Sequence, residues 1–263
     1  MSNQQLEVQR VRHPLKMRLL HVVRTRMLTP HLVAVTFGGE DLADFVSSSF
    51  DDHVKLFFPL PGDSEPLMPS GAPGSHDGTE PAVRPIARDY TPHRYDGALG
   101  ELDIVFVLHD TGPASAWAVQ ARTGDRLGIG GPRGSFVIPD GYDWFWMIGD
   151  ATALPAISRR LGELPAGRRV TVILSVDGGE RIDLPSRADV DIVWLDEGRS
   201  LPDAVAAMPL PSGEGYVWAA GEASAMRAVH SLLVQDRGLP KSRIRAASYW
   251  KQGAANVHES IGD

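Results

Sequence analysis

The sequence predicts two domains of different grammar, an antiparallel β-barrel or sandwich followed by a parallel-sheet α/β domain. Three observations carry this. From about Met17 to Phe136, short runs rich in apolar residues are broken repeatedly by Gly, Pro and Asp turns, the signature of several short antiparallel strands. After FVIPDGYD, continuous apolar runs alternate with helix-spaced segments, which implies parallel strands joined by helical crossovers. The length of 263 residues suffices for two modest domains, each with its own core.

In the first half the expected strands are MRLLHVVRTRML, LVAVTFGG, HVKLFFPL, RDYTPHRYD, ELDIVFVLH and DRLGIGGPRGSF. A Pro-, Gly- and Ser-rich insert, residues 61–85, interrupts them with too little apolar surface to order itself and reads as a mobile surface loop. The grammar changes near Pro139 to Tyr142, which sets expected domains of 1–141 and 142–263. WFWMIG is a buried strand, ATALPAISRRLGEL has helical spacing, RRVTVILSV is a second buried strand, and GYVWAAG leads into the helical EASAMRAVHSLLVQD. Within that helix Met226, Val229 and Leu233 form a core stripe.

Composition narrows the function. A net charge of −7 argues against a general nucleic-acid binder. Absence of cysteine removes disulfides, thiolate zinc sites and cysteine-ligated iron–sulfur clusters, so redox chemistry would need an organic cofactor or another kind of metal site; no metal site is expected. The segment LLHVV falls far short of a signal core, and no run nears the roughly 20 apolar residues of a membrane span, so a cytoplasmic protein without membrane insertion is expected. Arg10, Arg12, Lys16, Arg18, Arg24 and Arg26 are read as the solvated faces of a strand and its lead-in.

Two stretches of the first half carry chemistry. In RDYTPHRYD, Pro92 lacks an N–H and biases Thr91 to an extended conformation, so the peptide is expected to run along something other than a partner strand and to face a ligand. Arg88 and Arg94 offer planar forks for phosphate, Tyr90 a flat ring, and Thr91 a hydroxyl that both donates and accepts. An edge strand with scattered charges is the competing reading. In VLHDTGPASAWA, a strand ending at His109 turns through Asp110 to Gly112 and enters a helix at Pro113. N–H groups of Ala114 and Ser115, with the Ser115 hydroxyl, then point outward at the positive helix end, a site for pyrophosphate. Ser115 also suits an ordinary cap, and Trp117 suits the core as well as a cofactor.

The ordered motifs RDYTPHR, HDTGPASAWA, GDRLGIGGPRGSF, GDATALPAI, AAGEASAMR and SYWKQG span nearly the whole chain. In that order the chain resembles the siderophore-interacting protein family of FAD-dependent ferric-siderophore reductases, within the ferredoxin-NADP reductase superfamily. The resemblance implies a Greek-key FAD-binding β-barrel followed by a nicotinamide-nucleotide α/β domain whose C-terminal tail returns to the flavin. It implies that Arg88 holds the FAD phosphates, that Asp89 is among the cofactor-binding residues, that Tyr90 lies against the flavin and ribityl chain and that Thr91 bonds near the flavin N5. His109, Asp110, Gly112, Ala114, Ser115 and Trp117 would hold the pyrophosphate and ring edge. Gly149, Asp150, Thr152, Gly221 and Glu222 would border the nicotinamide, and Trp250 or Tyr249 would cover the flavin, with Thr91 and Trp250 as catalytic residues. Lys55, Arg133 and Lys251 would receive an anionic ferric chelate. SYWK departs from the family's usual Gly-Tyr-Trp-Arg at Ser248 and Lys251.

The implied reaction passes hydride from NADPH or NADH to FAD and then single electrons to Fe(III) in a ferric siderophore. Asp177, placed for a ribose hydroxyl, and Arg181, placed for a 2′-phosphate, conflict over which nucleotide is used. Alternatives are reduced ferredoxin as donor, a general flavin reductase, or a non-catalytic carrier of siderophore or flavin. A monomer is expected.

Overall fold

A computed structural model of the chain describes residues 6–69, 83–109, 112–196, 198–253 and 259–262. It divides into two compact units, one of Gln9–Val137 and one of Ile138–Asp263 joined by the N-terminal residues 6–8, where the Tyr142 hydroxyl donates to the Leu6 carbonyl at 2.6 Å.

The first unit runs β1 (Gln9–Arg12), β2 (Met17–Thr29), β3 (Leu32–Gly38), β4 (Val54–Phe58), β5 (Ile86–Tyr90), β6 (Pro92–Asp96), β7 (Glu101–Val107), α1 (Pro113–Gln120), β8 (Arg126–Gly130) and β9 (Gly134–Val137). Strands β1 and β9 form a separate antiparallel pair. The remaining strands lie in the order β5-β4-β8-β2-β3-β7-β6, whose two outer members are the halves of one segment interrupted at Thr91. That segment closes the antiparallel sheet into a six-stranded barrel. Strands β4, β5–β6 and β7 follow one another as neighbours and β8 returns beside β4, which is a Greek key.

Closure corrects the expectation for RDYTPHRYD. The segment is paired on both sides of Thr91, β5 with β4 and β6 with β7. Pro92 cannot donate to a ladder, and the strand exchanges one partner for the other at that point, with a register shift between Pro92 and Arg94. Inside, Val22, Val35, Phe37, Leu56, Phe58, Ile104, Phe106 and Ile129 are buried. Trp117 of α1 packs on this core, its ring 6.1, 5.7 and 5.9 Å from those of Phe37, Phe58 and Phe106.

Two further expectations for this half change. Arg18 is 5% exposed rather than on a solvated face; its guanidinium donates to the carbonyls of Asp41 and Gly131 and pairs with Asp44, satisfying a buried cation. The insert is not wholly a loose loop: Pro66 is buried and bridges to Pro59, and the Met68 thioether lies over Gly128, where a side chain would collide with it. Residues 70–82 of the insert lie outside the described residues.

The second unit runs β10 (Trp144–Asp150), α2 (Leu154–Glu163), β11 (Arg169–Ser175), β12 (Asp189–Leu195), α3 (Leu201–Ala207), β13 (Gly215–Glu222), α4 (Ala223–Ser231), β14 (Ile244–Trp250) and β15 (Glu259–Ile261). The sheet order is β12-β11-β10-β13-β14-β15, parallel except for β15, which pairs antiparallel with β14. Burial on both faces explains the continuous apolar runs; Trp146 and Trp218 are each 1% exposed. Met226, Val229 and Leu233 are fully buried, as the helical stripe predicts. Strand β12 and helix α3 are not anticipated. Asp189 and Asp191 alternate with half-exposed apolar residues in β12, and α3 has only seven residues, so neither gives a strong periodic signal. Among the described residues no helix is long and apolar enough to cross a membrane.

Candidate functional site

In the barrel unit the partner exchange puts Thr91 at a break in the ladder. It is 6% exposed, and its hydroxyl meets no protein partner among the described residues, which leaves its donor and acceptor available to a ligand. The adjacent Tyr90 ring lies 4.5 Å from that of Phe106. Burial pushes the Tyr90 hydroxyl pKa up, with the Arg88 charge opposing, so the phenol stays protonated. The Arg88 guanidinium donates to the Ala87 carbonyl at 2.7 Å. Arg94, by contrast, is already engaged: Asp103, Asp96 and Glu101 take its guanidinium at 2.7, 3.1 and 3.2 Å. The acids of β7 sit opposite it in the ladder that sequence reading did not foresee.

At the start of α1, Gly112 has φ 141° and gives no side-chain cap. A Cβ there would meet nothing within 4 Å, so the space beside the backbone is open. Pro113 has no N–H, leaving Ala114 and Ser115 as first-turn donors without intrahelical partners. The Ser115 side chain corrects the expectation: it is 6% exposed and its oxygen accepts the His109 backbone N–H at 3.0 Å. It closes the strand-to-helix turn instead of pointing outward. His109 itself is exposed, and Asp110 lies outside the described residues. Lys55 and Asp89 face each other across β4 and β5 and pair at 2.8 Å, so the cation assigned to the chelate and the acid assigned to the cofactor neutralise one another in part. Arg133 is exposed, with no side-chain partner among the described residues.

In the second unit, chain order reverses between β10 and β13, the switch point where open α/β sheets bind ligands at the carboxyl ends of their strands. Asp150, Thr152, Gly221, Glu222 and Trp250 gather there. Asp150 Oδ1 accepts from the Thr152 N–H at 2.9 Å and its hydroxyl at 2.5 Å. Its Oδ2 accepts from the Glu222 N–H at 2.9 Å and the Trp250 indole N–H at 2.8 Å. Both glycines serve this packing. A side chain at Gly149 would run into Ala153 and the Ala220 carbonyl, and one at Gly221 into Asp150.

Glu222 caps α4, accepting from the backbone of Ser224 and Ala225, the Ser224 hydroxyl and the Gln252 N–H. Burial would raise its carboxyl, but these hydrogen bonds outweigh burial and hold it below the usual range. Of the two tail aromatics, Trp250 stands at the switch point and Tyr249 packs edge-on against Trp218, 6.3 Å between centroids. Ser248, in place of the family's glycine, is fully buried and donates to the Trp250 carbonyl at 3.2 Å. Lys251 is exposed just beyond. Arg181 pairs with Asp196 and lies over Trp194, 5.7 Å from its ring centre. Asp177 has no side-chain partner among the described residues. Of the four donors on Asp150, the two of Thr152 are a local cap two residues on; the other two had no signal in the sequence, because Glu222 and Trp250 are brought to it by the ends of β13 and β14.

A Greek-key barrel with an open helix-start site, carried in one chain with a switch-point sheet, defines a two-domain class of dinucleotide-handling protein. Residues 21–136 match the model of the siderophore-interacting FAD-binding domain and residues 142–253 that of siderophore-interacting protein. The chain is 36% identical to an NADPH-dependent ferric-chelate reductase of Escherichia coli K12, over 95% of this chain and 99% of that one. It is 35% identical to the ferric vibriobactin reductase ViuB of Vibrio cholerae, over 96% and 93%. A crystal structure of a siderophore utilization protein from T. fusca superposes with a TM-score of 0.88 at 38% identity, covering 95% and 98% of the two chains. The chain belongs to the siderophore-interacting protein family. The open Gly112 turn and the unpartnered Thr91 hydroxyl fit the FAD that its first domain is described as binding.

Proposed function

We propose that this protein is an FAD-dependent ferric-siderophore reductase that draws on NADPH. One observation supports this reading over a simple carrier: the chain holds two different nucleotide-type sites, the Gly112 turn of the barrel and the β10–β13 switch point, and a carrier needs only one. Bound FAD would supply the conversion of a two-electron hydride donor into one-electron reduction of Fe(III).

The chain's own residues bind and orient. Arg88, with the Ala114 and Ser115 N–H groups, would receive the FAD phosphates, the Thr91 hydroxyl would bond the flavin edge, and Tyr90 would face the ring. Trp117 supports this wall from the core. Gly149, Thr152, Gly221 and Glu222 shape the ground where the nicotinamide arrives. Arg181, already held over Trp194, is the cation nearest in kind to a 2′-phosphate ligand, which favours NADPH over NADH. Reduction to Fe(II) loosens a hard-oxygen chelate and frees the iron. We read the protein as a cytoplasmic monomer.

The test is an anaerobic titration of the purified yellow protein. NADPH is expected to bleach the flavin bands, and ferric siderophore with a ferrous trap to restore them as Fe(II) complex forms. Bleaching by reduced ferredoxin alone would replace the donor, and a protein that cannot be loaded with FAD would overturn the reading.

Arg133 and Lys55 give a second expectation. Replacing both by Ala should raise the KM for an anionic ferric chelate about fivefold at low salt, with FAD content unchanged and Arg133 contributing more, since Lys55 is already paired with Asp89. Steering by exposed charge weakens with ionic strength, so the difference should shrink in high salt. A KM unchanged by the substitutions across a salt series would remove these residues from the chelate site.

A further inference from the structure

We propose that Asp150 is a positioning residue that tethers the Trp250 indole over the carboxyl ends of β10 and β13 and thereby sets the apparent affinity for nicotinamide. This rests on the reductase reading above.

The argument begins with hydrogen-bond capacity. A carboxylate offers about four acceptor sites on its two oxygens. In Asp150 all four are used, two by Thr152, one by Glu222 and one by Trp250, at 2.5 to 2.9 Å. Every partner donates. The group therefore has no acceptor left for a carboxamide or a ribose hydroxyl. Asparagine has the same shape but cannot replace it, because its amide N–H₂ would face two of these donors.

What the carboxylate does is join three strand ends. It sits at the end of β10, receives the backbone of Glu222 at the end of β13, and holds the side chain of Trp250 at the end of β14, which lies in register with Glu222. Trp250 is 41% exposed, so packing alone does not fix its ring; the indole N–H bond does. The ring is thus held on the same ground, outside the carboxyl ends at the switch point, that a nicotinamide must enter. Releasing it removes a competitor.

The experiment compares the FAD-loaded parent with Trp250→Phe, which keeps an aromatic ring but has no N–H, with Asp150→Asn and with the double variant. The first readout is the set of indole N–H resonances, in which Trp250 is identified by its loss in Trp250→Phe. In Asp150→Asn the Trp250 resonance is expected to shift and its hydrogen exchange to quicken tenfold or more, while the other indoles stay in place. The second readout is steady-state kinetics. The KM for NADPH is expected to fall about threefold or more in each single variant, kcat to change less, and the double variant to match Trp250→Phe within twofold.

An unmoved Trp250 resonance in Asp150→Asn overturns the tether. A freed indole with unchanged KM overturns its role in nicotinamide access. Additive effects in the double variant would put Asp150 on the nicotinamide itself and overturn the positioning role. A protein that oxidises no nicotinamide at all overturns the reductase reading and the kinetic role together, whereas the resonance reports on the tether independently.

Discussion

Gly221→Ala is expected to lower the stability of the second unit by about 2–6 kcal/mol. Gly221 has φ 152°, and a Cβ there would stand 2.5 Å from Asp150 Oδ2 and 2.9 Å from its Cγ. A non-glycine residue held in such a backbone region costs about 1–3 kcal/mol, and overpacking adds roughly 1–3 kcal/mol. Escape is blocked, because Asp150 is fixed by its bonds to Thr152, Glu222 and Trp250. Intrinsic fluorescence is a suitable probe: five of the six tryptophans, all but Trp117, lie in this unit. The denaturation midpoint should fall clearly. Gly178→Ala is the control, since a Cβ there meets nothing within 4 Å and should stay within about 0.5 kcal/mol of the parent. A Gly221→Ala midpoint equal to that control would mean that the turn yields, and that the Asp150 cluster is softer than its hydrogen bonds imply.

The same cluster shows where sequence reading reaches and where it stops. Strand-to-helix turns at Gly112, Gly149 and Gly221 were legible, because a glycine between an apolar run and a helix start is a local signal. The change of architecture read near Pro139 to Tyr142 rests on a similar kind of signal, since buried parallel strands and half-exposed antiparallel ones differ in period. Partners that meet only through the fold were not legible. Arg94 looks like a free fork until β7 brings Asp103 and Glu101 beside it, and Lys55 looks like a free cation until β5 places Asp89 opposite. Ser115 looks like an outward hydroxyl until the turn brings the His109 N–H to it. Pro92 reads as taking the peptide off any partner strand, yet it pairs with Ile104; whether such a strand leaves the sheet or changes partner depends on barrel closure, which is a property of six strands together. Residue types announce what chemistry is available, and topology decides which of it is already spent.

Arg88→Ala is expected to weaken FAD binding 10- to 100-fold while the barrel remains folded. Arg88 lies on β5 next to the partner exchange at Thr91, and its charge opposes the upward shift that burial gives the Tyr90 hydroxyl. A charge-assisted hydrogen bond contributes about 1.5–3 kcal/mol, and each 1.4 kcal/mol is about tenfold in a dissociation constant. The fold should survive, since Arg88 is only half-buried and the barrel core of Val35, Phe37, Leu56 and Ile104 is untouched. Gel filtration should therefore strip the flavin from Arg88→Ala but not from the parent, and titration of the stripped proteins with FAD should give the ratio of affinities. Arg88→Lys separates charge from shape. Lysine keeps the cation but cannot offer a planar fork to a phosphate, so partial recovery, nearer to Ala than to Arg, is expected if the fork matters. Full recovery by Lys would reduce the role to simple charge, and an Arg88→Ala protein that keeps its whole flavin content would move the phosphate contact to the Ala114 and Ser115 backbone at the Gly112 turn alone.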